Sequence, residues 1–512
     1  MKLANVSLLL FATATACGGM GGAGMYTAAR PYPAAPSAVA VERTPGTTTE
    51  DYKDTGKNPW IDASKDHLST FAADVDTASF TVARRKLHDG ELPPPASVRP
   101  EEWVNYFHYS FPRATGTPFS IVMDAAPEPF APDRSVLRVG VATNPIDNAA
   151  RKPAHLVFLV DVSGSMDEPT KLPWVRASLE TLVDHLHAGD TVALVTYAGD
   201  TRLVLPATGM EHKRDILAAI DHLRAGGSTA MASGLDLAYD QAMQGLAPGV
   251  TSRVIVCTDG DANVGPTSHQ AILDLIAARA KAGVTLSTIG FGMGNYKDSL
   301  MEDLGDKGNG NSYYIDSLDT AKSLFGDKLP STIEVVAKDV KLQVDFDPSV
   351  VTAYRLIGYE DRDVRDDQFR DDKVTGGQVG PGHQVTALYE VKLAAGHEPA
   401  PLGTVRVRAK APDGDVSAET AYPMAAPPAA TFDGASPDLR FAFAVAAFAD
   451  IVRGNPDAKQ WSLGEVRELA AASAGDSAER ADLVDMIDKA RRLRGASEAD
   501  ATTSAAAARS AR

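Results

Sequence analysis

The chain has 512 residues, of which 44% are hydrophobic and 23% are charged, and its formal net charge at pH 7 is −17. This length predicts about two to four globular domains. The acidic balance argues against nucleic acid or anionic lipid headgroups as ligands, because both are bound by clustered Lys and Arg and the sequence has no basic run. The two cysteines, Cys17 and Cys257, exclude a disulfide framework and a zinc site built from Cys and His.

The first 17 residues have the order of an export signal. Lys2 is followed by an apolar stretch over residues 6–14, which is too short to span a membrane, and by small residues before Cys17. The sequence ATAC ending at Cys17 resembles a bacterial lipobox, which implies that Cys17 is lipidated and anchors the mature protein in a membrane. Gly18 implies, by the same resemblance, the outer membrane of a Gram-negative bacterium. Ordinary cleavage near Cys17 with free secretion is the alternative.

Two segments precede the central part of the chain. Residues 18–62 are rich in Gly, Ala, Pro, Ser and Thr with few large apolar residues, which predicts a flexible stalk. Residues 63–150 are predicted to form an N-terminal region that is first helical, from the spacing of apolar residues between Leu68 and Phe111. The alternating stretches 119–124 and 136–142 then predict two strands.

Residues 151–329 are predicted to form an α/β domain with a Rossmann-like fold. Apolar runs typical of strands alternate with helical patterns, which favours a mainly parallel sheet with helices on both faces. The first helix is predicted from Leu172 to Leu186, where apolar residues recur at helical spacing. The predicted strands cover residues 156–160, 192–197, 254–257 and 284–289.

Residues 330–495 predict a C-terminal domain that is β-rich and then α-helical, with helices from about Leu439, and residues 496–512 predict a disordered tail. We expect the strands before and after the α/β domain to share one sandwich, so that the α/β domain is an insertion. The predicted C-terminal strands cover residues 340–346, 354–359, 385–393 and 404–409.

Oxygen-bearing side chains lie where predicted strands end and where one helix begins. They are Asp161, Ser163 and Ser165 after the first strand, Thr229 in a glycine-rich loop before a helix, and Asp259 after the strand at 254–257. Loops at the carboxyl ends of parallel strands meet at one edge of the sheet and build binding sites there. Carboxylate and hydroxyl oxygens are the hard ligands that Mg²⁺ or Mn²⁺ prefers, with Ca²⁺ as a further candidate. The five residues therefore predict a divalent-cation site.

These five positions match, in residue type and in order, the metal-ion-dependent adhesion site of the von Willebrand factor A domain, and the central domain resembles that family. The resemblance implies that Ser163, Ser165 and, in the ligand-bound state, Thr229 contact the ion directly, whereas Asp161 and Asp259 act through water. It also implies a protein ligand that presents an Asp or Glu carboxylate to the ion. Neutral hydroxyl ligands leave most of the ion's charge uncompensated, which strengthens its attraction for that carboxylate.

The sequences flanking the site resemble one bacterial lipoprotein branch of this family. The matching segments are residues 69–79, 92–95 and 104–107 before the domain, 289–296 within it, and 354–360 and 386–390 after it. The resemblance covers about residues 67–455 and identifies no ligand, because one fold serves many functions.

The same residues have two other interpretations. Ser163, Ser165 and Thr229 could cap helices while Asp259 closes a turn, as such residues often do, but all five positions lie together at strand ends or helix starts. A hydrolase is the second alternative, and neither serine lies in a Gly-x-Ser-x-Gly sequence or has a histidine clearly placed to serve it.

The sequence therefore predicts a non-enzymatic, envelope-anchored module that binds proteins or mediates adhesion in a metal-dependent way. The alternative is a structural or assembly subunit of an envelope complex, in which the metal site mainly stabilises the domain.

Overall fold

The computed structural model describes residues 49–73, 75–228, 231–260, 269–396 and 398–510, with side chains as far as residue 495. Cys17, Thr229 and residues 18–48 of the predicted stalk lie outside the described residues. The strands, numbered in chain order, are β1 (Ile61–Asp62), β2 (Leu68–Ala72), β3 (Phe119–Pro127), β4 (Ser135–Thr143), β5 (Ala154–Asp161), β6 (Thr191–Tyr197), β7 (Thr201–Gly209), β8 (Thr251–Thr258), β9 (Val284–Phe291), β10 (Ser312–Ile315), β11 (Ala337–Phe346), β12 (Val351–Ile357), β13 (Gly377–Val379), β14 (Gln384–Leu393), β15 (Gly403–Lys410) and β16 (Ser417–Pro423). The helices are α1 (Ala78–His88), α2 (Pro100–Tyr106), α3 (Leu172–His185), α4 (Lys213–Asp221), α5 (Met231–Gln244), α6 (His269–Lys281), α7 (Asp298–Lys307), α8 (Leu318–Lys322), α9 (Leu329–Ile333), α10 (Pro437–Val452), α11 (Leu463–Ser473) and α12 (Ala478–Ser510).

The central domain is built on a six-stranded sheet in the order β10-β9-β8-β5-β6-β7. Neighbouring strands are parallel except β6 and β7, which are antiparallel. Phe158 packs with residues of α3 and α4 on one face, and Leu159 packs with residues of α5 and α6 on the other. Burial on both faces explains why β5 is apolar without interruption over residues 156–160. The predicted Rossmann-like fold is confirmed.

Helix α3 begins directly after the loop that carries three of the predicted site residues. Pro173 lies in its first turn, where a missing N–H costs no intrahelical hydrogen bond. Val175, Leu179 and Leu182, spaced at helical intervals, are fully buried against the sheet. This apolar stripe fixes the start of the helix and therefore the end of the site loop at Lys171.

Several strands were not predicted from the sequence, and three of them, β2, β7 and β10, show why. The apolar spacing predicts a helical segment that includes residues 68–72, but these residues form β2, which pairs antiparallel with β11 and buries Phe71 completely. Strand β7 was missed because it is an exposed edge strand containing Pro206, where the apolar alternation of a half-buried strand is not required. Strand β10 was missed because its four residues are too few for a clear pattern.

The chain enters the central domain from a β-sandwich and returns to it. One sheet has the order β1-β12-β14-β4-β3, so strands that precede and follow the central domain are hydrogen-bonded neighbours. The second sheet has the order β13-β11-β15-β16, with β2 also paired to β11. Val139 and Tyr389 of the first sheet and Leu342 of the second share one buried core. The prediction that the α/β domain is an insertion is confirmed.

A helical layer covers the outer part of the sandwich. Helix α10 is buried almost throughout, and it packs with α2, α11 and α12 in one apolar core. The Trp103 ring of α2 meets Phe448 of α10 edge to face, with 5.2 Å between centroids. The small N-terminal helices are thus part of the core of the C-terminal domain. Among the described helices, none is both long and apolar enough to cross a membrane.

Two predicted boundaries need correction. The predicted stalk includes residues 49–62. In the structure, Asp51 donates its backbone N–H to the carbonyl oxygen of Tyr296 at 3.0 Å, and β1 pairs with β12. This stretch is therefore bound to the folded part of the chain. Residues 496–512 were predicted to be disordered, but α12 continues to Ser510. Alanine has the highest helix propensity, which favours this extension of the helix.

The buried charge of Arg355 provides a test of the junction between sandwich and helical layer. Its Nε donates to Glu390 Oε2 at 2.6 Å and its Nη2 to Asp450 Oδ2 at 3.1 Å, and all three side chains are fully buried. We expect Arg355→Leu to lower the free energy of unfolding by about 3–5 kcal/mol, because two buried carboxylates lose a partner. Urea denaturation at pH 7 measures the change. Arg365→Leu, which removes an exposed arginine paired with Asp367, is the control and should have little effect. If both variants lose the same free energy of unfolding, the buried ion pairs of Arg355 do not stabilise this junction.

Candidate metal site

The two predicted aspartates lie at the ends of neighbouring parallel strands. Strands β5 and β8 pair in the register that places Val160 opposite Cys257. Asp161 ends β5 and Asp259 directly follows β8, so both carboxylates reach the same edge of the sheet. Both residues are completely buried. The structure therefore brings two buried carboxyl groups to the same edge of the sheet.

Hydrogen bonds orient the Asp161 carboxylate. Its Oδ1 accepts the backbone N–H of Ser163 at 2.8 Å, and its Oδ2 accepts the hydroxyls of Thr258 at 2.8 Å and Tyr197 at 3.2 Å. Burial raises the pKa of Asp161 and the negative charge of Asp259 raises it further, against the hydrogen bonds from Ser163 and Thr258, which lower it. A cation at this position would favour the charged form of Asp161.

The two serine hydroxyls lie beside each other in the loop after β5. Ser163 Oγ and Ser165 Oγ are 3.0 Å apart. Ser163 precedes a short 3₁₀ turn over residues 164–166, but its hydroxyl makes no capping hydrogen bond there. Capping therefore does not explain this serine, and both hydroxyls remain suited to a shared ligand.

The glycine-rich loop at Gly226 and Gly227 is hydrogen-bonded to the loop after β5. Gly226 donates its N–H to the carbonyl of Val162 at 2.7 Å, and Gly227 accepts the N–H of Gly164 at 3.0 Å. Gly227 has φ +93°, and a Cβ there would lie 3.1 Å from the backbone nitrogen of Gly199, so glycine is required for this approach. Thr229 follows two residues later and lies outside the described residues, so its place among the ligands stays a prediction.

Two residues of the site were missed by the sequence analysis. Lys171 is fully buried, and its Nζ donates to Asp259 Oδ2 at 3.1 Å and to Asn295 Oδ1 at 3.1 Å. Asn295, in the loop after β9, donates its side-chain amide to Asp259 Oδ2 at 2.9 Å. A lysine immediately before a helix is unfavourable with respect to the helix dipole, which is the signal that could have identified Lys171.

The oxygen donors present fit a small divalent cation. Two carboxylates and two neighbouring hydroxyls at one strand edge are the hard ligands that Mg²⁺ or Mn²⁺ prefers, and one lysine does not neutralise two carboxylates. In the part of the chain that the structure describes, no three His, Cys, Asp or Glu side chains form a metal-binding group. A site built on hydroxyls and two carboxylates does not require such a group.

Comparison with known proteins agrees with this organisation. Three family models match: "von Willebrand factor" over residues 46–138, "von Willebrand factor type A domain" over residues 155–327, and "Uncharacterized protein YfbK, C-terminal" over residues 331–493. The chain is 37% identical over 458 residues to "Uncharacterized protein YfbK" of Escherichia coli (strain K12), covering 84% of this chain and 79% of that one. The chain belongs to the YfbK family.

Other similar proteins match a smaller part of this chain or have a lower sequence identity. The magnesium-chelatase 60 kDa subunit of Cereibacter sphaeroides is 35% identical over 131 residues, which are 25% of this chain and 21% of the subunit. The solved von Willebrand factor type A protein from Catenulispora acidiphila is 18% identical, with a TM-score of 0.45 over 74% of this chain and 91% of that chain. The family-model match over residues 155–327 identifies the central domain as a von Willebrand factor A domain, a class that suggests a protein-interaction or adhesion module and that typically binds a divalent cation.

Neutralising Asp161 should separate stability from metal binding. We expect Asp161→Asn to raise the thermal midpoint of the metal-free protein at neutral pH, because it removes one of two adjacent buried negative charges. Since the pKa of Asp161 is raised in the folded state, the contribution of Asp161 to the stability of the metal-free protein falls as the pH rises from the ordinary aspartate value through the raised pKa. Asp161→Asn should lose that dependence. Thermal melts across pH measure both effects, with exposed Asp167→Asn as the control; a lower midpoint for Asp161→Asn would contradict this account.

Proposed function

We propose that this protein is an envelope-anchored, metal-ion-dependent module that binds proteins or mediates adhesion. The cation is Mg²⁺ or Mn²⁺, held by Asp161, Ser163, Ser165, Thr229 and Asp259, and it accepts an Asp or Glu carboxylate of a partner protein. The observation that carries the proposal is the meeting of two buried carboxylates and two serine hydroxyls at the ends of β5 and β8.

Each residue has a definite part in this function. Thr258 and Tyr197 hold the Asp161 carboxylate in one orientation before any ion arrives. Ser163 and Ser165 offer neutral oxygens, which leave charge on the ion for an incoming ligand. When bound, the cation supplies the electrostatic attraction that orients a partner carboxylate.

The overall charge of the protein supports a cation-dependent interaction. At a formal net charge of −17, the protein repels an approaching acidic group unless a local positive charge attracts it. A bound dication provides that charge at one defined position. Binding of an acidic partner should therefore depend on the cation.

No catalytic role is proposed. Among the described residues, no hydrogen bond joins a histidine to the hydroxyl of Ser163 or Ser165, so the Ser–His pair of a hydrolase is not the basis of a proposal.

Metal-dependent binding can be tested on purified protein lacking the first 48 residues. We expect Mg²⁺ at about one hundred times its Kd to stabilise the fold by about 2.7 kcal/mol, and we expect Asp161→Ala and Ser163→Ala to abolish this effect. Capture of envelope proteins should fall to background with EDTA and with both variants. Asp167→Ala, an exposed carboxylate in the same loop, should behave as the wild type. Equal capture by wild type with Mg²⁺, wild type with EDTA and Asp161→Ala would contradict the proposal.

A structural role for the metal is the second candidate. The loop that holds Asn295 is hydrogen-bonded on both sides by the N-terminal segment: Thr49 donates its N–H to Gly294 at 2.8 Å and Asp51 to Tyr296 at 3.0 Å. An ion at this site would therefore also stabilise contacts between regions of the chain. If Asp259→Ala lowers thermal stability but leaves partner capture intact, this structural role is the better account.

The anchor is a separate proposal that depends on Cys17. Several acyl chains at one cysteine bind a membrane stably, since each buried methylene contributes about 0.8 kcal/mol. We expect the wild type expressed in a Gram-negative host to incorporate labelled fatty acid and to sediment with outer membranes, whereas Cys17→Ser does neither. Identical labelling and fractionation of the two proteins would contradict lipidation.

A further inference from the structure

Lys171 is a fixed positive charge in the wall of the candidate metal site. The side chain has no exposed surface. Its ammonium group lies 3.0 Å from the carbonyl oxygen of Ser165, 3.1 Å from Asp259 Oδ2 and 3.1 Å from Asn295 Oδ1, and these three acceptors match its three hydrogens. Glu168 Oε1, half-exposed, lies 3.1 Å away. The lysine thus links the loop after β5 to the end of β8 and to the loop after β9.

The third of these loops is shaped to receive the lysine. Gly292 has φ +73°, a conformation that side chains rarely adopt. A Cβ at this position would lie 2.5 Å from both Cγ and Cε of Lys171, so any other residue would displace the lysine side chain. The aliphatic part of Lys171 therefore packs directly on the backbone at Gly292. Two separate segments hold the positive charge in place.

We propose that Lys171 limits the affinity of the site for the cation alone, so that strong binding requires the carboxylate of the partner. The lysine occupies one oxygen of Asp259 and repels a dication bound beside it. Glu168 is half-exposed and screened by solvent, so the buried charges decide the balance. The charges of the buried groups Asp161, Asp259 and Lys171 sum to −1, and a bound dication changes this sum to +1. A partner carboxylate then neutralises the site, which couples ion binding to partner binding.

Lys171 also has an effect that favours cation binding, and this effect is weaker than its repulsion of the cation. By fixing Asp259, Lys171 also preorganises one oxygen ligand, and its loss would make that carboxylate less ordered. However, repulsion between a buried ammonium and a dication at close range exceeds the net contribution of a single hydrogen bond. Removal of the charge should therefore tighten cation binding.

This inference rests on the proposed function, and titration calorimetry with Mg²⁺ alone tests it. We expect Lys171→Met, which keeps most of the aliphatic chain over Gly292, to bind Mg²⁺ about tenfold or more tightly than the wild type. The control is Lys213→Met on α4, which removes the same charge from a lysine paired with Asp184 at 2.9 Å, away from the site loops. Lys213→Met should bind Mg²⁺ as the wild type does.

A second variant guards against misfolding of Lys171→Met. Lys171→Gln keeps a hydrogen-bond donor near Asp259 and removes the positive charge, so it should also tighten Mg²⁺ binding about tenfold. If the folded variants, judged by circular dichroism, bind Mg²⁺ no more tightly than the wild type, the role of Lys171 is wrong while the metal site stands. If neither the wild type nor the variants bind Mg²⁺, the proposed function fails together with this inference.

Discussion

The site depends on two carboxylates being buried at the ends of two adjacent parallel strands. The register of β5 and β8 leaves Asp161 and Asp259 no separate exits to solvent, so their mutual repulsion must be offset locally. Hydroxyls of Thr258 and Tyr197 offset part of it at Asp161, and Lys171 offsets part of it at Asp259. Tyr197 ends β6, Thr258 ends β8 and Lys171 lies directly before α3. Compensation of the two carboxylates therefore joins three separate segments at one edge of the sheet.

The insertion of the central domain into a sandwich gives this edge additional contacts. The N-terminal segment at residues 49–51 is hydrogen-bonded along the loop that carries Asn295. Just beyond that loop, Arg99 of the N-terminal region forms a buried ion pair with Asp298, with 2.5 Å between Nη1 and Oδ2. The N-terminal region therefore helps to set the position of a loop that contacts Asp259. The central domain is thus held by contacts with the N-terminal region and is not an isolated domain.

Local patterns predicted most of the fold. Four of the five proposed ligands, Asp161, Ser163, Ser165 and Asp259, lie at or just after the strand ends where the sequence pattern located them, and their binding of an ion stays a prediction. Strand β5 follows from its continuous apolar run and helix α3 from its helical periodicity, and the loop with Asp161, Ser163 and Ser165 follows from its place between them. Lys171 could not be assigned in the same way, because its partners Asp259 and Asn295 lie 88 and 124 residues away. A lysine's role in such a site is determined by tertiary contacts.

The errors in the fold have similar causes. Residues 68–72 lack a distinctive pattern of their own and become a strand only by pairing with β11, more than 250 residues later. Residues 49–62 have the composition of a linker, yet backbone hydrogen bonds hold them to β12 and to the loop after β9, which composition does not reveal. Both segments gain their structure from partners supplied by distant parts of the chain.

The location of a bound ion tests the central claim most directly. A crystal soaked with Mn²⁺ and measured at the manganese absorption edge should show an anomalous peak within about 2–2.6 Å of both Ser163 Oγ and Ser165 Oγ, the range of metal–oxygen distances for hard cations. The carboxylates of Asp161 and Asp259 should lie next to the same peak. Full Mn²⁺ loading without a peak between the two serines, or a peak bound only elsewhere, would contradict the assignment of this strand edge as a metal site.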